Sequence, residues 1–150
     1  MTSAGWTAEG RPLLAGVAAG SALVLRGPLS FWGGVAPATG LIIDTHHAAR
    51  GQRVTDMILV LPHGRGSSSS STVLAECLSA GTGPRAILLG EADGILLLGA
   101  LVARELGVAY CPVVVLGDVW QRIATGDVVR VSADGRVTVR PPVEARERDR

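Results

Sequence analysis

No lysine occurs in this chain: all 14 basic residues are arginine. Schiff-base chemistry and a P-loop lysine are thereby excluded. Cysteine is scarce too, with only Cys77 and Cys111 in 150 residues. Two are too few for a disulfide scaffold, and alone they cannot hold a three- or four-cysteine metal cluster. Charge is nearly balanced, 14 basic against 13 acidic residues, for a formal net charge of +1. Nucleic acid or a membrane surface would call for a concentrated basic patch, so neither is expected as a partner. There is no long hydrophobic run: residues 95–103 are broken by Gly99 and fall short of the roughly 20 apolar residues of a membrane span. The start, Met1-Thr2-Ser3-Ala4-Gly5-Trp6, lacks a basic region followed by an apolar core. No secretory leader is expected there, and the expected location is the cytoplasm.

What is present reads as one folded domain. The chain is 47% hydrophobic and 18% charged, a balance that supports a core and argues against global disorder. Residues 1–11 read as a flexible N-terminus, 12–140 as the domain, and 141–150 as a charged tail of alternating sign after Pro141-Pro142. Short apolar runs at 22–25, 41–43, 57–61, 86–89 and 113–116 read as strands. Val73, Leu74, Cys77 and Leu78 recur at helical spacing, with a stop at Gly81 or Gly83, and a second helix is expected from about Gly94 to Leu106. Residues 128–131 and 136–139 flank Asp134-Gly135, a strong hairpin signal. The order implies an α/β fold: a mixed sheet with two main helices and a closing C-terminal hairpin.

The most unusual stretch is His63-Gly64-Arg65-Gly66-Ser67-Ser68, set between a buried strand and a helix. Backbone amides at a helix start favour anions, glycines allow close approach, and Arg65 offers a forked donor for carboxylate or phosphate. A serine there can donate to an anion, or act as a base if those positive groups stabilise its alkoxide. Two plainer readings compete: a serine helix cap, and a flexible linker, although apolar elements abut the segment on both sides. His46, His47 and His63 are the only histidines; the adjacent pair fits no metal-ligand pattern and reads as a surface loop. Asp44, Asp93 and Asp118 neighbour apolar runs and as lone carboxylates read as caps or turn formers. Cys77 falls on the apolar helix face and reads as core.

Taken together, Pro28-Leu29-Ser30-Phe31-Trp32-Gly33-Gly34, Thr39-Gly40, Ile43-Asp44 with His46 two residues on, and Leu61-Pro62-His63-Gly64-Arg65-Gly66-Ser67 resemble the swivel domain of the aconitase X family. The resemblance covers residues 12–117, with the terminal hairpin compatible. It implies a swivelling β/β/α domain. It also implies a hydro-lyase that acts on a small hydroxy acid such as cis-3-hydroxy-L-proline or phosphomevalonate. The implied partner is a large subunit carrying an iron–sulfur cluster, with no cofactor held by this chain alone and no activity without the partner. Ser67 takes the part of general base by this resemblance, with Ser68 the next position in the all-serine run 67–71. Arg65, Gly66, Ser68, His63, Ser30, Gly33 and Gly34 are the implied substrate-binding set. The alternative is a non-catalytic, stand-alone module whose Gly-Arg-Gly-Ser loop only holds an anion.

Overall fold

Two short runs, Ile58–Leu61 and Ala86–Leu89, are buried at every position. A strand alternates its side chains between faces, so such runs need cover on both sides of the sheet. The computed structural model, which describes residues 4–142, provides it. The strands are β1 (Trp6–Glu9), β2 (Arg11–Leu14), β3 (Ala18–Val24), β4 (Val35–Ala36), β5 (Leu41–Ile42), β6 (Ile58–Leu61), β7 (Ala86–Leu89), β8 (Val113–Val115), β9 (Val128–Val131) and β10 (Arg136–Arg140). The helices are α1 (Ser70–Ala80) and α2 (Gly94–Glu105), with a 3-10 turn at Gly117–Arg122.

Eight strands form one mixed sheet in the order β1-β10-β9-β3-β6-β7-β8-β2; β4 and β5 make a separate two-stranded ladder. The centre, β3-β6-β7-β8, is parallel. β3 joins two regions: Ala18 to Ser21 pair antiparallel with β9, and Ala22 to Val24 pair parallel with β6. Leu59, Leu61, Ile87 and Leu89 pack with Leu74 and Cys77 of α1 and Leu96 and Ala100 of α2. Ile58, Val60, Ala86 and Leu88 face the other way, against Trp120 and Val129, Val131, Val137 and Val139 of the terminal hairpin. The layers are therefore hairpin, central sheet and helices, a β/β/α sandwich. No described helix is long and apolar enough to cross a membrane.

One expectation fails. Residues 1–11 are not uniformly loose: Trp6–Glu9 pairs with β10 along its whole length, and Arg11 begins β2 at the far edge against β8. The local signal is weak because β1 has four residues, two of them polar, and β2 contains Pro12. Both are edge strands, where proline costs no internal ladder bond and partners, not propensity, fix the conformation. Arg122 also lies over the Trp6 ring, 4.2 Å from its centroid. The charged run 144–150 lies outside the described residues.

Candidate functional site

The parallel strands β3, β6 and β7 end at one edge of the sheet, where open α/β folds place their ligand sites. Three segments leave that edge, residues 25–34, 62–69 and 90–93, and they are tied together. Leu29 and Gly64 form a parallel bridge, and the Arg65 amide donates to the Leu29 carbonyl at 3.2 Å. The Gly64 amide donates to Asp93 Oδ2 at 2.9 Å. The other oxygen of that carboxylate caps α2, accepting from Ile95 and Leu96, both at 3.0 Å. Asp93 is thus a cap, as expected of a lone carboxylate, but one that also holds the Gly-Arg-Gly loop.

A second tie is a closed ring of hydrogen bonds. The Trp32 amide donates to Ser70 Oγ at 3.1 Å, and Ser30 Oγ donates to the Trp32 carbonyl at 3.0 Å. Ser30 and Ser70 hydroxyls lie 3.2 Å apart. Since Ser30 spends its proton on the carbonyl, Ser70 donates across that contact. Ser70 is 2% exposed and is the buried polar side chain of this core. It is the residue that motif reading passed over. Its signal lies in the periodicity: Ser70, Leu74, Cys77 and Leu78 share the buried face of α1, so the face begins one turn before the first apolar residue.

Gly66 packs on this ring. Its φ is +89°, and a Cβ there would stand 2.7 Å from Ser30 Oγ. A glycine is needed on both counts. Gly34 is buried with Ser30 pressed against it, and Gly33 stands exposed beside Trp32. The candidates Ser30, Gly33, Gly34 and Gly66 therefore share one neighbourhood around the Ser30–Ser70 contact.

Ser67 is exposed, and its Oγ accepts the Ser69 amide at 3.0 Å. The cap residue of α1, Ser69, makes no side-chain capping bond. The amides of Ser70, Ser71 and Val73 are already used on the carbonyls of Ser67, Ser68 and Ser69. The free donors lie one turn earlier: Gly66, Ser67 and Ser68 amides have no hydrogen-bond partner among the described residues. Free amides on successive residues that begin at a left-handed glycine are donors of the kind that can take an oxyanion. Ser68 is exposed beside Ser67 and its carbonyl takes the Ser71 hydroxyl at 2.8 Å.

Arg65 is exposed, with Nη2 3.5 Å from Asp44 Oδ2. It borders two hollows. The smaller, about 60 Å³, lies between Gly64, Gly66, Ser70 and the start of α2. The larger, about 390 Å³, lies between the end of β3 and the turn at 46–52. Ser67 lines neither. His63 is held elsewhere: Nδ1 donates to the Gly64 carbonyl at 2.6 Å and Nε2 is 3.7 Å from Glu91 Oε1. His47 is not a plain surface histidine. It is half-buried, its Nδ1 accepts the Ala49 amide at 3.0 Å, and its Nε2 faces the Gly27 carbonyl at 3.4 Å. That pattern requires the neutral ring with its proton on Nε2.

No three His, Cys, Asp or Glu side chains stand together to hold a metal among the described residues. Both cysteines are buried and unpaired. Burial raises the Cys77 thiol and pushes Cys111 up to about 12, so neither offers a thiolate. Among the described residues the side chains do not fit an iron–sulfur cluster.

Against known proteins, the family model for the aconitase X swivel domain matches residues 7–139. The cis-3-hydroxy-L-proline dehydratase of Pseudomonas aeruginosa is 44% identical over 91% of this chain, which spans only 24% of that protein's length. The phosphomevalonate dehydratase small subunit of Thermococcus sibiricus is 42% identical over 87% of this chain and 96% of its own. Among solved structures, aconitase X of Thermococcus kodakaraensis superposes with a TM-score of 0.80 at 39% identity, covering 89% of this chain and 97% of that one.

Proposed function

The chain belongs to the aconitase X swivel-domain family, and on that premise we propose that it is the small, swivel component of a two-subunit hydro-lyase. Its substrate in this reading is a small hydroxy carboxylic acid, cis-3-hydroxy-L-proline or phosphomevalonate, the compounds named in its relatives' activities. Ser67 is the general base that takes the proton beside the carboxylate. The large subunit carries the iron–sulfur cluster and closes the site, and the complex works in the cytoplasm.

The observation that carries this reading is the setting of Ser67. An isolated serine hydroxyl is too weak an acid to serve as a base near neutral pH. Here its Oγ accepts the Ser69 amide, and the same loop carries Arg65 and the free amides of Gly66 to Ser68. Each of these favours the charged form of the oxygen. No carboxylate belongs to the loop 62–69 itself to oppose it. Ser67 is also exposed and outside both hollows that Arg65 borders. A base left open to water needs a second surface over it, which a large subunit would provide. Excluding water would strengthen the same charge interactions.

The test is co-purification with a large-subunit homologue under anaerobic conditions, followed by assay of water loss from both hydroxy acids. An active complex supports the reading and names the substrate. Ser67→Ala is expected to leave assembly intact and abolish turnover; retention of activity by Ser68→Ala assigns the base to Ser67. A chain that binds no large subunit but still takes up phosphate or carboxylate favours the stand-alone anion-binding module.

A further inference from the structure

We infer that the Ser30–Ser70 hydroxyl pair is the device that places the base: both serines are positioning residues for Ser67, and neither touches the substrate. The kinetic half of this inference rests on the dehydratase reading. The geometric half stands on this chain alone.

The pair holds the chain on both sides of Ser67. After it, the Ser70 amide donates to the Ser67 carbonyl at 3.0 Å. The Ser70 hydroxyl then ties that same residue to the Trp32 amide at 3.1 Å and to Ser30 Oγ at 3.2 Å. Before it, Gly66 rests on the second hydroxyl, close enough that a Cβ would stand 2.7 Å from Ser30 Oγ. The other hydrogen bonds of residues 66–69 stay within their own turn among the described residues: the Ser69 amide on Ser67 Oγ, the Ser71 amide and hydroxyl on the Ser68 carbonyl, the Val73 amide on the Ser69 carbonyl.

A hydroxyl is a costly choice at this place. Ser70 opens the buried face of α1 that continues through Leu74, Cys77 and Leu78. An apolar residue there would pack without desolvating a polar group. A bonded buried hydroxyl adds little net stability, but its bonds have direction and select one arrangement of the segments they join. Here they join the base loop to the Trp32 loop, across 38 and 40 positions of sequence. Ser30 gives its proton to the Trp32 carbonyl and accepts from Ser70. A hydroxyl has one proton, so Ser30 has no donor left for a substrate carboxylate. The substrate contact expected of Ser30 gives way to a positioning one.

The experiment compares Ser70→Ala and Ser30→Ala with Thr82→Val. Thr82 lies past the other end of α1, where its hydroxyl donates to the Pro37 carbonyl at 2.6 Å. Its loss removes a part-buried hydrogen bond far from Ser67. Ser30→Ala, on a half-buried loop side chain, guards against a folding failure of Ser70→Ala. In the full chain, amide NMR relaxation reads the loop directly. Order parameters of Ser67 to Ser69 are expected to fall from about 0.85 towards the flexible range below about 0.6 in both serine variants, and to stay unchanged in Thr82→Val. An unmoved loop in both serine variants overturns the inference whatever the activity of the complex. In the active complex, kcat is expected to fall at least about tenfold in each serine variant with KM within about twofold, since a small displacement of a reacting group costs rate more than binding. The double variant is expected to be no slower than the slower single one, as for two residues acting as a unit. A raised KM with kcat intact makes the serine a substrate contact and overturns the inference. So does an equal loss of kcat in Thr82→Val. An inactive parent complex with the loop response intact sinks the dehydratase reading and supports the positioning geometry.

Discussion

Ser70 holds the site's geometry through a single hydroxyl. It takes the Trp32 amide and gives its proton to Ser30, while 2% exposed. Ser70→Ala removes the acceptor of the part-buried Trp32 amide and the hydroxyl that donates to Ser30, which costs about 1–3 kcal/mol. Urea denaturation is expected to read a lower midpoint with unchanged slope; a loss under about 0.5 kcal/mol would count as an ordinary surface change and refute the ring's importance. The thiols give a second residue-scale prediction. Cys111 titrates near 12 in the folded chain because burial penalises its thiolate, against an ordinary 9.0. A raised folded value stabilises the fold below the unfolded value. That contribution is lost as pH climbs from about 9 towards 12, so stability is expected to fall across that window. At pH 8 an aromatic disulfide reagent should find neither cysteine until denaturant is added. Rapid labelling of the native chain would contradict the burial of both.

At the scale of elements, legibility followed burial. The runs at 86–89 and 57–61 were readable because a strand packed on both faces is continuously apolar, and the structure places Ala86–Leu89 and Ile58–Leu61 there. The terminal hairpin was readable from Asp134-Gly135, with Gly135 at φ +90°. The edge strands β1 and β2 were not, because they are held by pairing with distant residues and carry little pattern of their own. The same divide runs through the candidate site. The Gly-Arg-Gly-Ser segment stands out locally as glycine, arginine and serine between apolar elements. The Ser30–Ser70 contact does not, since it joins residues 40 positions apart. Asp93 shows how one element serves another. It caps α2 with one oxygen and holds Gly64 with the other. Asp93→Ala is expected to cost about 2–3 kcal/mol, a lost cap plus a lost half-buried amide partner. Asp93→Asn should recover the cap alone, since its single oxygen cannot accept the Gly64 amide as well. Equal stability of the alanine variant and the parent would show that the loop is held by other means.

At the scale of the molecule, the described residues form a β/β/α sandwich with the candidate site at one open edge. Ser67, Arg65 and Trp32, the last 58% exposed, all stand on the loops that leave that edge. Among the described residues nothing covers Ser67 and Arg65, and no three His, Cys, Asp or Glu side chains stand together to hold a metal. A swivel component that brings a base to an electrophile held elsewhere accounts for both facts. The most direct test is turnover by the anaerobically co-purified complex, measured side by side for the parent chain and Ser67→Ala. The account predicts water loss from a small hydroxy acid by the parent complex. It predicts a fall of at least about 100-fold for Ser67→Ala, the lower end of what a general base contributes, with the complex recovered in equal yield. Turnover by the Ser67→Ala complex within a few-fold of the parent would contradict it.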